Sequence, residues 1–136
     1  MNDPELVGEA RRWLRFAKED LEVAQRLLIA DEAPSRHACF LAHQAAEKAL
    51  KAALVREGID FPFRHDLDAL RQLLPKTWSV RRTHPDLAQL TEWSVEARYP
   101  GDWQEATATD AERAVSQARG VYNSIAAEFE RRTDAR

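Results

Sequence analysis

The sequence predicts an all-α fold, an up-and-down bundle of four long helices plus one short helix. Three observations carry that prediction. Apolar residues recur at three- and four-residue steps over long stretches, helix-start and helix-stop residues bracket those stretches, and no run of alternating β-branched residues competes with them. Short connections between long amphipathic helices favour antiparallel neighbours.

Asp3-Pro4 opens the first helix, with a side-chain acceptor for an unpaired N–H and a proline whose missing N–H costs nothing in the first turn. Leu6, Ala10, Trp13, Leu14, Ala17, Leu21, Ala24 and Leu28 form its apolar stripe to about residue 30. Asp31 to Ser35 breaks the pattern, and Ser35 is placed to cap a second helix that runs to Glu57 and stops at Gly58. Alanines 38, 42, 45, 46, 49, 52 and 53, with Phe40, Leu41, Leu50 and Leu54, leave little of this helix polar, as suits a helix in the middle of a bundle. Leu67, Leu70, Leu73 and Leu74 predict a short third helix ended by Pro75. Thr83-His84-Pro85 can open a fourth, with Leu87, Leu90, Ser94 and Ala97 on one side and Pro100-Gly101 as its stop. Thr109-Asp110-Ala111-Glu112 matches a capping box for the last helix, whose stripe is Ala111, Ala114, Val115, Ala118, Tyr122, Ile125 and Phe129. The expected organisation is one domain over 1–136, with its core at about 4–132 and a frayed C-terminus.

Composition narrows the function classes. A formal net charge of −3 argues against bulk electrostatic attachment to nucleic acid, so any such contact needs a local patch. The one cysteine, Cys39, has no partner for an intramolecular disulfide and sits among small apolar neighbours, which reads as packing. No apolar stretch approaches the roughly 20 residues a bilayer span needs, and no signal-peptide pattern opens the chain, so a cytoplasmic protein without membrane attachment is expected. Gly-rich phosphate loops, paired cysteines and HExxH are absent from the sequence, and no metal or cofactor is expected.

The polar strip of the second helix is the leading candidate for chemistry. Gln44, Lys48 and Lys51 share one side, with Glu47 at its margin, and ammonium groups beside an amide can hold phosphate. An ordinary Glu47–Lys51 surface pair, or a dimer seam, would use the same residues. His65 and Asp66 stand at the start of the third helix, where unpaired N–H groups favour an anion, unless Asp66 meets that need by capping. Arg98 and Tyr99 close the fourth helix, and Arg98 can either hold its last carbonyls or present a guanidinium to phosphate. Trp78 with Arg81, Arg82 and His84 can stack bases, or the tryptophan can tuck onto the bundle.

In order along the chain, Trp13-Leu14-x-x-Ala17-x-x-Asp20-Leu21, then Cys39-Phe40-x-x-His43-Gln44-Ala45-Ala46-Glu47-Lys48-Ala49-Leu50-Lys51-Ala52, then His65-Asp66-Leu67 and Ala97-Arg98-Tyr99-Pro100 resemble the HEPN family. The resemblance implies a helical bundle, often a homodimer, acting beside a minimal nucleotidyltransferase. It also implies association with nucleotide binding or with RNA cleavage in toxin–antitoxin pairs. Cleaving members carry Arg-x4-6-His, in which arginine neutralises the scissile phosphate and histidine moves the 2′-hydroxyl proton. Arg36 and His43 satisfy that spacing, about 10 Å apart along the helix axis, but they stand at the start of the second helix whereas the family's motif comes later. No histidine follows Arg98 at the required interval. The expectation is therefore a non-catalytic module that binds a nucleotide, another phosphate-containing ligand or a partner. A metal-independent endoribonuclease and a purely structural dimerisation unit are the alternatives.

Overall fold

In the computed structural model the described residues are 2–30, 33–62, 65–94 and 105–134. They form α1 (Pro4–Ala30), α2 (Ser35–Arg56), α3 (Leu67–Gln72), α4 (Val80–Thr83), α5 (Ala88–Thr91) and α6 (Ala108–Asp134), with no strand among them. No helix is long and apolar enough to cross a membrane among the described residues.

α2 packs against both α1 and α6, and α3 and α5 close over it. Its alanines make this possible: Ala38, Ala42, Ala45, Ala46, Ala49, Ala52 and Ala53 are all buried, so neighbouring helices approach without large side chains between them. Cys39 is buried among them, as packing predicts. α1 presents Ala10, Leu14, Ala17, Leu21 and Ala24 to the core, and α6 presents Ala111, Ala114, Val115, Ala118, Val121, Ile125 and Phe129. Tyr122 lies half-buried at the flank, and Val121 takes the stripe position expected for it.

The ends follow local chemistry. Asp3 Oδ1 accepts the Glu5 N–H at 2.9 Å and opens α1. Gly58, at φ 70°, ends α2: the Gly58 N–H reaches the Val55 carbonyl at 3.0 Å and the Ile59 N–H the Leu54 carbonyl at 2.9 Å, the paired bonds of a left-handed helix stop. Ser35 does not cap α2; Pro34 holds the cap position and no side-chain bond is made there. The box that opens α6 lies two residues earlier than expected, because Thr107 and Asp110 exchange bonds of 2.9 and 3.1 Å between side chain and backbone N–H. Thr107-x-x-Asp110 fits the same pattern as Thr109-x-x-Glu112, and its aspartate is the shorter acid.

The expected fourth helix differs most. Its described part is the single turn α5, preceded by the separate turn α4, and 95–104 lie outside the described residues. Side chains here serve the loops instead of a helix: Asp86 Oδ1 accepts the Ala88 N–H, Asp68 Oδ1 the Leu87 N–H, and Thr91 Oγ1 the Leu67 N–H. Trp78 is fully buried. Its indole N–H donates to Glu57 at 2.7 Å and the Arg132 guanidinium lies 4.6 Å from its ring centre, so it anchors the bundle's end and offers no face for stacking bases.

Candidate functional site

His43, Glu47 and Lys51 follow one another at one-turn steps on α2, and all three are buried, at 0%, 6% and 6% exposure. A polar row on so apolar a helix requires partners, and the connection between α2 and α3 supplies one. Asp66 caps α3 by accepting the N–H groups of Asp68 and Ala69, and His65, the residue just before it, is thereby held over the α2 row.

His65 Nδ1 lies 2.7 Å from Glu47 Oε1, and Lys51 Nζ donates to Glu47 Oε2 at 2.8 Å. Burial alone would raise the Glu47 carboxyl, but the bonds from Lys51 and His65 and the charge of Lys51 outweigh it and hold the group below its ordinary value. Glu47 is therefore an ionised acceptor, so His65 Nδ1 carries the proton and Nε2, on the other side of the ring, is the basic nitrogen of the neutral imidazole. Lys51 Nζ also lies 5.9 Å from the Trp13 ring centre and 5.5 Å from that of Phe61, which places this ammonium between two aromatic faces. His43 Nε2 sits 2.9 Å from the His65 carbonyl. Burial pushes the His43 imidazole down; the carbonyl bond, the Glu47 charge and the adjacent Gln44 side chain oppose this only in part. The His65 side chain keeps 25% exposure, so this centre meets solvent through His65.

The expected residues separate into groups. Glu47, Lys51 and His65 come together as one hydrogen-bonded centre, and the Glu47–Lys51 pair is an interior one instead of a surface one. Lys48 turns to the α1 side, where it pairs with Asp20 Oδ2 at 2.6 Å, and Gln44 is half-buried. Arg36 and His43 are not brought together: Arg36 is 56% exposed and faces Glu105 at 3.8 Å, whereas His43 has no exposed surface. Arg98 and Tyr99 lie outside the described residues. Sequence reasoning missed Asp20, Trp13 and Phe61 as neighbours of the two lysines, and it missed His43 as a partner of His65. The i, i+4, i+8 spacing of His43, Glu47 and Lys51 was a visible signal that these three share a face. Among the described residues no group of three or more His, Cys, Asp or Glu side chains is arranged to hold a metal ion.

Residues 10–129 match the HEPN domain family. The chain belongs to that family. The sequence is 30% identical over 135 residues to a Methanocaldococcus jannaschii protein named "Putative toxin MJ1304", covering 88% of this chain and 87% of that protein. Two crystal structures are similar to this HEPN domain. TT1696 from Thermus thermophilus has a TM-score of 0.73 and 28% identity, over 93% of this chain and 98% of that one. ST0689, described as an archaeal HEPN homologue, has a TM-score of 0.68 and 25% identity, over 88% and 97%. All-α architecture and family thus agree with the sequence-based expectation.

Proposed function

We propose that this HEPN domain binds a phosphate-containing ligand, a nucleotide or RNA, through His65, with Glu47 and Lys51 as the support behind it. The observation that carries this reading is the His65–Glu47 bond: a solvent-reaching imidazole held by an ionised carboxylate that a buried ammonium stabilises in turn. Burying two charges on an alanine-rich helix costs desolvation energy that an apolar pair would avoid, so packing alone gives no reason for the arrangement. Neutral His65 accepts a ribose hydroxyl proton at Nε2; protonated, it donates to a phosphate oxygen. Lys48 and Lys51 are already matched by Asp20 and Glu47, so they shape the site more than they attract an anion. A homodimer and a minimal nucleotidyltransferase partner, in a toxin–antitoxin setting, complete the proposal; the toxin name of the Methanocaldococcus relative supports that setting.

Filter retention of radiolabelled ATP and of a short RNA by the folded chain tests the reading. Retention should fall at least tenfold in His65→Ala, and retention equal to the parent's in both His65→Ala and Lys51→Met refutes it. A carboxylate-oriented histidine is also the arrangement of a general base, and this favours endoribonuclease activity as the second reading. If RNA is cleaved, the loss should follow His65→Ala, because His43 is shut off from solvent.

A further inference from the structure

His43 is a fully buried imidazole that takes no part in the proposed ligand contact, and on grounds of packing it is a poor choice for its position. Its Nε2 faces the His65 carbonyl at 2.9 Å. A carbonyl only accepts, so Nε2 bears the proton, and the neutral ring is left with Nδ1 as an acceptor that no hydrogen bond of acceptable geometry reaches. A leucine would fill similar space without burying a polar nitrogen that lacks a well-placed donor. The one hydrogen bond of good geometry that the ring makes runs to the backbone of residue 65, with Glu47 and Gln44 near enough to act on it as well.

We infer that His43 is the positioning residue for His65. His43 and Glu47, one turn apart on α2, clasp residue 65 at two points: Nε2–H of His43 takes its carbonyl, and Glu47 Oε1 takes its ring Nδ1–H. The backbone beyond is fixed by the Asp66 cap and by the Leu67 N–H bonded to Thr91 Oγ1 at 3.1 Å. With the carbonyl also held, the Cα–Cβ bond of His65 has one direction, and from it the ring meets Glu47 with Nδ1. The two imidazoles lie 6.3 Å apart at 55°, so the second is guided through its main chain and not by ring stacking. The clasp selects the tautomer in which Nε2 of His65 is the basic nitrogen. This inference rests on the reading of His65 as the ligand-contacting group.

The test is ring ¹⁵N spectroscopy of the full labelled chain at pH 7.5, with the His65 signals identified by their loss in His65→Phe. The parent should show His65 protonated at Nδ1 and bare at Nε2. His43→Leu should collapse this into a mixture of tautomers, and His43→Gln, whose amide N–H reaches about as far as the imidazole Nε2–H, should restore the parental pattern. An unchanged His65 pattern in His43→Leu overturns the inference, as does a Gln variant that behaves like Leu. If the leucine variant does not fold, His43→Asn replaces it: its shorter amide falls short of the carbonyl, and a parental pattern in it is equally fatal. ATP retention measured on the same samples separates the two claims. A collapsed tautomer with undiminished retention supports the clasp and removes the ligand reading, whereas an unchanged tautomer overturns the clasp whatever the retention.

Discussion

Stability should fall as the solution is acidified through the mid-range, and His43 should account for a measurable share. Its imidazole is fully buried and titrates below the ordinary value of 6.5, because burial disfavours the charged ring more than its few polar neighbours support it. In the unfolded chain the same group takes up a proton near 6.5. The unfolded state therefore binds more protons as pH falls, so the contribution is fully present above 6.5 and is lost below it. One such group changes stability by at most about 1.4 kcal/mol per pH unit, and between pH 7.5 and 5.5 its integrated loss has an upper bound of about 1.4 kcal/mol. Glu47, held below its ordinary value, acts below about pH 4.5 and so stays out of this window. His84, also pushed down by burial, contributes with the same sign to parent and variant alike and cancels in the difference. Urea unfolding of the parent and of His43→Gln at both pH values isolates the effect. The parent should lose more stability than the variant on acidification, by up to about 1.4 kcal/mol. Equal losses would refute the claim that His43 is neutral and shut off in the folded chain.

Three further changes have expected outcomes. Lys51→Met leaves the buried Glu47 carboxylate with His65 alone and should destabilise by about 3 kcal/mol in urea unfolding, whereas adding Glu47→Leu should recover part of that loss; additive effects would mean the pair is not coupled. A Cβ at Gly120 would stand 2.6 Å from Cε1 of His84, so Gly120→Ala should cost about 1 kcal/mol in the parent. In a His84→Ser background the same change should stabilise by up to about 1 kcal/mol through helix propensity, and the absence of a sign reversal by thermal denaturation would refute the contact. Thr107→Ala should cost about 1 kcal/mol and Thr109→Ala close to nothing; the reverse order would restore the box at Thr109.

Much of the framework was legible because its causes are local. The alanine pattern of α2, the Gly58 stop, the Asp66 cap and the stripe on α1 all depend on residues within a turn or two of each other. The α6 box shows the limit of such signals: two overlapping threonine–acid patterns satisfy one rule, and the chain uses the earlier, Thr107 with Asp110. The segment after Pro75 defied periodicity, because Asp68 and Asp86 satisfy the Leu87 and Ala88 N–H groups there, which a continuing helix would have paired within itself. For the site, the spacing of His43, Glu47 and Lys51 was visible, but their burial was not. It depends on His65 arriving from 18 residues beyond Glu47 and on the aromatic rings of Trp13 and Phe61 flanking Lys51.

The balance of charge at the site bears on how any ligand is recognised. Glu47 cancels Lys51, Asp20 cancels Lys48, His43 is neutral, and the chain as a whole carries a formal charge of −3. Among the described residues of this centre, no unmatched lysine therefore draws a polyanion toward α2, unlike proteins that hold nucleic acid by releasing many counterions. What the centre offers instead is one imidazole of defined tautomer and direction. A hydrogen bond so placed discriminates by geometry, and its strength changes little with ionic strength because its charged supports are buried and paired. A ligand bound through His65 should thus lose no more affinity with salt than the displacement of about one counterion implies. A slope equivalent to several phosphate contacts, measured by ATP or RNA retention across a salt series, would place the binding surface elsewhere on the chain and leave the His65 centre as an element of internal structure.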